Sequence, residues 1–314
     1  MSDVFLSGGS ENADIPGALS ASSAVSGLST GERAVAVPKE YVHLHREEAV
    51  LLTGWASLGS DTYAVTARWP GAPDGAHYDP MLITQTIRQS CLVVAHAERG
   101  VPMASQTLME RMDFSVAEGY RVPRKTPADL FVKLICKSTG QRSMRIELTA
   151  VHDDHTVLEA VVDFSWISPA VYRRLRGEHL TVAWGEAPVP APVPASTVGR
   201  AEASAVVLAP ADRPGRWQLR MDVTHTGLYD HPVDHVPGLA LIEAAYQAAH
   251  AATGFEGALP VCTASSFERY VEFDAACWID AEVVREAAEG VTRVEVRGVQ
   301  NDRTAFRTTL IYLG

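Results

Sequence analysis

The sequence contains little cysteine and no long apolar run, and both absences narrow what the protein can be. Its cysteines are scattered along the chain without a Cys-x-x-Cys pair: Cys91, Cys136, Cys262 and Cys277. This spacing predicts reduced thiols of a cytosolic protein, with neither a zinc site nor a disulfide framework. No stretch approaches the ~18 apolar residues of a membrane span. The N-terminus lacks a basic segment followed by an apolar one, so we expect a cytoplasmic chain without a secretory signal.

Positive charge is also scarce, because 27 lysines and arginines face 38 aspartates and glutamates, for a net charge of −11. Such a balance disfavours a protein that binds nucleic acid phosphates. The sequence has no glycine-rich phosphate loop and no Gly-x-Ser-x-Gly elbow. His43 and His45 are too few ligands to predict a metal site. We therefore expect no metal and no other cofactor, in a globular chain of 314 residues with a sizeable core.

The order of composition along the chain predicts two halves. Residues 1–35 are rich in Ser, Gly and Ala, which is typical of a disordered tail. Alternating prolines between positions 187 and 195 predict an extended linker at 186–198. The linker would separate an N-terminal repeat at 36–185 from a C-terminal repeat at 199–314.

Each half contains the pattern of one long helix and several strands. The first helix is predicted from Asp79-Pro80, an N-cap followed by a proline at the first helical position, to about Glu98. The second is predicted from Pro237-Gly238 to about Thr253. Alternation predicts the strands at 41–45, 63–69, 130–137, 144–152, 157–167, 217–223, 267–273, 277–284, 292–299 and 304–312.

The two halves are related by a constant offset of 158 residues. Adding 158 converts His77 to His235, Gln85 to Glu243, Gln89 to Gln247, Glu110 to Glu268 and Arg111 to Arg269. Such a repeat indicates duplication of one unit. A long helix among antiparallel strands indicates an α+β unit whose sheet wraps the helix. The predicted fold is therefore a double hotdog.

Both predicted helices carry polar residues on a mainly apolar background. The first has Gln85, Arg88 and Gln89, and the second has Glu243, Tyr246 and Gln247. In each helix these positions are spaced i, i+3, i+4 and share one stripe. A polar stripe on a buried helix needs partners or a role, so it predicts either a pocket at the junction of the halves or a polar network that joins them.

The loop before the second helix indicates acyl chemistry. It reads Asp-His-Pro-Val-Asp-His-Val-Pro-Gly over 230–238, and resembles the hydroxyacyl-carrier-protein dehydratases of the hotdog fold. Unpaired N–H groups at a helix start can hold a thioester oxygen, and Gly238 would allow close approach. Glu243 could act as a base if burial raises its pKa. His235 is a second candidate base, unless it and Asp234 only brace the turn.

The two motifs together resemble the A-factor (γ-butyrolactone signal) biosynthesis family. That family looks like Asp-Pro-(apolar)-Glu-x-x-Arg-Gln in its first half, and this chain has Asp-Pro-Met-Leu-Ile-Thr-Gln-Thr-Ile-Arg-Gln at 79–89. Its second half looks like Asp-His-Val-Pro-Gly-Met with Glu-Ala-x-Arg-Gln, matched by 234–238 and 243–247. The resemblance covers about residues 40–314. Gln85 replaces the family's glutamate, and Tyr246 replaces its arginine.

The resemblance implies an acyltransferase that moves a β-ketoacyl group from an acyl carrier protein thioester to dihydroxyacetone phosphate. The product would be the precursor of a butyrolactone, butenolide or furan signal. Glu243, His235 and Arg88 would be catalytic, with Arg88 neutralising the phosphate and sharing one composite pocket with Glu243. The substrate-binding residues would be Gln85, Gln89, Tyr246, Gln247, Gly238 and Asp234.

Three other interpretations of the sequence stay open. The chain could be a divergent hotdog dehydratase or thioesterase, or a non-catalytic protein that binds an acyl ligand. Arg173, Arg174 and Arg176 form a basic cluster that could dock an acidic carrier protein or form a solvated helix face. A homodimer is possible, while nucleic acid and membrane are not expected as partners.

Overall fold

The computed structural model describes residues 35–71, 79–122, 126–255, 259–285 and 290–313. The predicted tail, apart from Val35, and His77 lie outside these ranges. The described ranges contain the helices α1 (Pro80–Val93), α2 (Pro169–Arg176) and α3 (Gly238–Thr253). In these ranges, no helix has the length and apolar character that a membrane crossing requires.

The strands of the two halves follow the same plan. The first half has β1 (Leu52–Gly59), β2 (Thr62–Trp69), β3 (Gln106–Val116), β4 (Ala128–Gly140), β5 (Ser143–His152) and β6 (His155–Ile167). The second half has β7 (Leu208–Pro210), β8 (Arg216–Leu219), β9 (Cys262–Phe267), β10 (Cys277–Arg285), β11 (Val291–Gln300) and β12 (Arg303–Leu313).

All twelve strands form one antiparallel sheet in the order β1-β2-β4-β5-β6-β3-β9-β12-β11-β10-β8-β7. The second half of this order is the first half reversed, with each strand replaced by its repeat partner. The two units meet where β3 pairs with β9, with Met112 opposite Ser265 and Phe114 opposite Thr263. This arrangement confirms the predicted α+β double hotdog.

Helices α1 and α3 lie against the sheet and contact each other across the repeat boundary. The Asp79 side chain accepts a hydrogen bond from the Met81 N–H at 2.8 Å, as expected for an N-cap. Beyond Val93, α1 widens into a π-helical turn at Val94–Glu98, which agrees with the predicted end near Glu98. Helix α3 ends where Gly254 adopts a left-handed conformation with φ of 66°.

Several segments differ from the sequence predictions, among them residues 220–223, which lie beyond the end of β8 at Leu219. Residues 41–45 are not a strand, because a 3-10 turn at Lys39–Val42 ends with His43 in the left-handed region at φ 53°. Residues 268–273 continue beyond β9 without strand pairing. The proline-rich segment packs along the second half: Val193 N–H donates to Leu208 O at 3.0 Å, and Val198 is fully buried. Buried apolar side chains inside that segment explain why it is not a simple spacer.

A glutamine clamp fixes the start of each half to its helix. The Gln89 Oε1 accepts the Leu51 N–H at 2.9 Å, and its Nε2 donates to Ala49 O at 2.9 Å. The Gln247 Oε1 accepts the Val207 N–H at 2.9 Å, and its Nε2 donates to Ala205 O at 2.8 Å. Because both side chains are fully buried, the amides satisfy backbone groups that water cannot reach.

We expect Gln89→Leu to lower the free energy of unfolding by about 1–3 kcal/mol, since two buried backbone groups lose their partners. Urea unfolding followed by circular dichroism measures this change. The control is Gln141→Leu, at an exposed turn position, which should stay within about 0.5 kcal/mol of the parent protein. Equal stability of the Gln89 variant and the parent would show that the clamp contributes nothing.

Candidate active site

Two Asp–His pairs lie in tandem in the loop before α3. The Nδ1 of His231 lies 3.1 Å from Asp230 Oδ2, and the Nδ1 of His235 lies 2.7 Å from Asp234 Oδ1. A carboxylate at Nδ1 selects the tautomer that carries its proton there, which leaves Nε2 as the basic nitrogen. Both histidine side chains are partly exposed. Each pair can therefore act as an oriented general base.

A buried arginine holds the second pair in place. The Arg176 Nε donates to Asp234 Oδ2 at 2.9 Å, and its Nη1 donates to Glu272 Oε1 at 2.6 Å. The Tyr172 hydroxyl donates to Asp234 at 2.7 Å. Burial alone would raise the pKa of Asp234, but the hydrogen bonds from His235, Tyr172 and Arg176 hold it well below its usual range. The dyad therefore remains charged at its carboxylate.

The sequence groups Arg176 with Arg173 and Arg174 in one basic surface cluster, but Arg176 is not at the surface. Its side chain points inward and only 3% of the residue is exposed, whereas Arg173 and Arg174 are exposed. Helix α2 thus has an inner side, which carries Tyr172 and Arg176, and an outer side. Asp234, which the sequence predicts to bind substrate, is engaged by Tyr172 and Arg176 on this inner side and also contacts the His235 ring.

Arg88 lies on α1 opposite the first Asp–His pair. Its Nη1 donates to Val42 O at 3.1 Å, which is the one hydrogen bond it makes within the described residues. Burial lowers the pKa of Arg88 to about 10, an effect that the nearby Asp230 partly opposes. Asp230 is itself bound by the Arg46 Nε at 3.0 Å and by the His45 N–H at 2.6 Å. Arg88 is therefore a desolvated cation to which no carboxylate of the described ranges is directly bonded.

His43 completes the surroundings of Arg88. The His96 Nδ1–H donates to Val101 O at 2.8 Å, so the His96 Nε2 must accept from the His43 Nε2–H, also at 2.8 Å. Burial and the charge of Arg88 lower the pKa of His43 to about 3, so this ring is neutral at physiological pH. His45 instead stacks on His231, with ring centroids 4.2 Å apart. His43 and His45 therefore point to different neighbours and do not share a face.

Glu243 has different partners. Its Oε1 accepts hydrogen bonds from the Arg200 Nε at 2.7 Å and from the Gln247 Nε2 at 2.6 Å, while its Oε2 is buried without a partner in the described part of the chain. Burial raises its pKa, and Arg200 opposes the rise. Among the groups that influence it is Asp79, at the start of α1. Arg200 was not among the residues predicted from the sequence. It is the one charged residue between positions 187 and 201, and this isolation is the signal that could have found it.

Arg88 and Glu243 thus have separate sets of neighbours, which we call two centres. Arg88 lies near Asp230 in the loop before α3, and Glu243 lies near Asp79 at the start of α1. The two side chains share no hydrogen-bond partner within the described residues. The single composite pocket expected from the sequence gains no support from these contacts and stays a prediction.

The remaining predicted residues divide between the two centres. Gln85 precedes Arg88 by one helical turn, and its Oε1 is buried and unpartnered within the described residues. The Tyr246 hydroxyl hydrogen-bonds Thr263 Oγ1 at 2.8 Å and so reaches the sheet. Gln89 and Gln247 are the backbone clamps. Gly238 packs on the Phe267 ring, which a Cβ would meet at 3.4 Å.

The starts of the two long helices differ in their capping, and the difference favours anion binding at the Arg88 centre. Asp79 caps α1 with its own side chain, whereas Pro237 provides no side-chain cap for α3. The N–H groups of Gly238 and Leu239 come too early in α3 for an intrahelical bond. They form a pair of donors at the positive end of the helix dipole. An anionic oxygen can be stabilised there and not at the start of α1.

Two surface cavities lie away from these residues. They have volumes of about 310 and 340 Å³ and lie at the surface of the second half, with Arg213, Pro214 and Gly215 shared by both linings. None of the predicted site residues lines either cavity. The candidate active site is therefore defined by its oriented side chains and N–H donors.

Comparisons with known proteins agree with this architecture. In solved structures, the fold resembles a protein described as an oleoyl thioesterase from Lactobacillus plantarum, with a TM-score of 0.53, 9% identity and coverage of 82% of this chain and 98% of the other. It also resembles the 12:0-ACP thioesterase from Umbellularia californica, with a TM-score of 0.52, 11% identity and coverage of 82% and 99%. These likenesses support the hotdog fold alone.

Sequence relatives are much closer. A 2-oxo-3-(phosphooxy)propyl 3-oxoalkanoate synthase from Streptomyces virginiae is 41% identical over 280 residues, which cover 86% of this chain and 95% of the relative. A protein of the same name from Streptomyces coelicolor is 35% identical over 290 residues, which cover 89% and 92%. The family model of the A-factor biosynthesis hotdog domain matches residues 29–168 and 183–311. This chain therefore belongs to the A-factor biosynthesis hotdog family.

Proposed function

We propose that this chain transfers a 3-oxoacyl group from an acyl carrier protein thioester to a hydroxyl of dihydroxyacetone phosphate. The Streptomyces relatives are named as synthases of 2-oxo-3-(phosphooxy)propyl 3-oxoalkanoate, an ester that joins these two groups. The product is the precursor of a γ-butyrolactone, butenolide or furan signalling molecule, made in the cytoplasm. One chain supplies both halves of each centre, so a homodimer is compatible with the reaction but is not needed for it.

The observation that carries this proposal is the unsatisfied charge of Arg88. A guanidinium that has lost water without gaining a carboxylate raises the energy of the site until an anion binds. A phosphate fits this need, because its oxygens match the fork of N–H donors on arginine. The neutral His43 beside Arg88 adds no positive charge of its own. Phosphate recognition at this centre therefore depends chiefly on Arg88.

The groups around the phosphate position suit acyl transfer. The His235 Nε2 removes the proton from the substrate hydroxyl, whose oxygen attacks the thioester carbonyl carbon. The N–H groups of Gly238 and Leu239 stabilise the resulting oxyanion. When the C–S bond breaks, the leaving thiolate takes the proton back from His235. The unpartnered Gln85 Oε1 is available to accept a hydrogen bond from the attacking hydroxyl before transfer.

We assign the base to His235 because Glu243 is committed to other contacts. Two N–H donors of Arg200 and Gln247 already occupy the Glu243 Oε1, and its centre has a capped helix start. Glu243 therefore stabilises the second half by pairing with Arg200. Gln89 and Gln247 act as backbone clamps in this proposal, and Tyr246 anchors α3 to the sheet, so their influence on substrate is indirect.

We expect Arg88→Gln to raise the KM for dihydroxyacetone phosphate at least about 100-fold, since a buried charge pair with the phosphate is lost. Activity on dihydroxyacetone, which has no phosphate, should change little. Initial rates with a 3-oxoacyl thioester and each acceptor measure the difference.

The control for this experiment is Arg99→Gln, because Arg99 hydrogen-bonds Asp61 and Ser138 at the surface. It should behave as the parent protein with both acceptors. Equal losses on both acceptors in the Arg88 variant would contradict phosphate binding by Arg88. Release of the free 3-oxo acid without ester would identify a thioesterase instead.

We expect His235→Asn to lower kcat by about 10²–10⁴-fold, the usual contribution of a general base. Asparagine keeps a donor near Asp234, so the loop should stay folded. His231→Asn is the matched control, because its dyad has the same geometry but precedes the helix start by four more residues, and its kcat should fall less than about tenfold.

Glu243→Gln distinguishes the two candidate bases. If His235 is the base, this variant keeps kcat within about tenfold and loses about 1–3 kcal/mol of stability, because Arg200 loses its charged partner. Thermal unfolding and kcat measured on the same preparations separate the effects. A large loss of kcat in Glu243→Gln, together with an unchanged kcat in His235→Asn, would show that Glu243 is the base.

A further inference from the structure

Helix α2 has an outer side that no part of the described chain covers. Val171 and Leu175 are 48% and 60% exposed, and Leu175 is the most exposed large apolar residue of the described ranges. The two positions are spaced i, i+4 and share one face. Arg174 lies beside Val171 at i+3, and the exposed Arg173 lies next to Arg174 at the far edge of the outer side. Together these four residues form what we call the α2 patch.

The charge of the α2 patch is opposite to that of the whole protein. The chain has a net charge of −11, yet α2 contains three arginines and no carboxylate. Arg176 is neutralised by Asp234 and Glu272 on the inner side. Arg173 and Arg174 make no ion pair within the described residues. The α2 patch is therefore a local cationic and apolar surface on an acidic protein.

The α2 patch lies directly behind the proposed catalytic base. Tyr172 and Arg176, on the inner side of the same helix, bind Asp234, which in turn binds the His235 Nδ1. A partner on the outer side would therefore be about one helix diameter, ~10 Å, from the dyad. A thioester on a flexible arm of such a partner can reach the loop before α3 from there.

We propose that the α2 patch is the docking surface for the acidic carrier protein that delivers the acyl thioester. This inference rests on the proposed function, which requires a donor of this kind. Two unpaired guanidinium groups attract acidic side chains, and steering matters most where the rest of the surface repels them. Leu175 and Val171 supply the apolar contact that such an interface needs at its centre.

Other occupants fit the charges less well. A second copy of this chain would bring another net charge of −11 and, in a two-fold contact, would place the arginines of both copies close together. A nucleic acid would find only two guanidinium groups here and no use for the apolar side chains of the patch. An acidic partner with an exposed apolar spot satisfies both features of the α2 patch.

The test compares two donors that carry the same 3-oxoacyl group, one a bacterial fatty-acid acyl carrier protein and the other N-acetylcysteamine. We expect the double variant Arg173→Glu/Arg174→Glu to raise the KM for the carrier-protein donor at least about tenfold. The KM for the small thioester should stay within about twofold. Leu175→Ser should weaken the carrier-protein donor in the same selective way, without any change in charge.

The matched control is Arg303→Glu, because Arg303 is an exposed arginine at the turn between β11 and β12. It should leave both donors unaffected. In the parent protein, added salt should raise the KM for the carrier protein and not that for the small thioester. An unchanged KM for the carrier protein in the double variant overturns the docking proposal.

Binding separates failure of docking from failure of the proposed function. Titration calorimetry of the holo carrier protein into the parent and double variant needs no turnover. Loss of binding in the double variant supports docking even if neither donor is consumed, in which case the proposed function fails alone. Equal binding by both proteins, or a shift of the double variant from dimer to monomer in sedimentation, rejects the α2 patch as the carrier-protein site.

Discussion

The pairing of β3 with β9 is the constraint on which the rest of the molecule depends. Each half needs a partner for this edge, because an unpaired strand exposes a row of backbone donors and acceptors. The pairing joins two six-stranded units into one sheet and reverses the strand order across the seam. It therefore places α1 and α3 against each other, with the loop before α3 beside Arg88 of α1. Both centres follow from this single contact.

Repeat symmetry creates two centres, and a few side chains make them unequal. At one centre Asp79 caps the helix start, and Glu243 pairs with Arg200. At the other, Pro237 leaves the helix start uncapped, and Arg88 has no carboxylate bonded to it within the described residues. The first set of contacts pairs the charge of Glu243 and caps the helix start, which favours stability, although the Glu243 Oε2 stays without a partner in the described residues. The second leaves charge and donors unsatisfied, which favours binding and catalysis.

The sequence predicted what depends on neighbouring residues and missed what depends on distant ones. The helix starts at Asp79-Pro80 and Pro237-Gly238 are encoded by local capping patterns, and the offset of 158 revealed the repeat. The pairings of Arg176 with Asp234 and of Arg200 with Glu243 join residues 58 and 43 positions apart, and no local pattern specifies them. Gln89 and Gln247 are polar residues on buried helices, and the sequence therefore predicted that they bind substrate. In the structure they bind backbone groups.

Fusion of the two hotdog units in one chain has a consequence for how the protein can change. In a homodimer each substitution occurs at both symmetric positions, so one centre cannot be closed while the other is kept. Here Gln85 and Glu243 occupy the same place in the repeat but are encoded separately, as are Arg88 and Tyr246. Selection can thus tune each centre without altering its twin, and one of them is able to serve as scaffold while the other acquires new specificity.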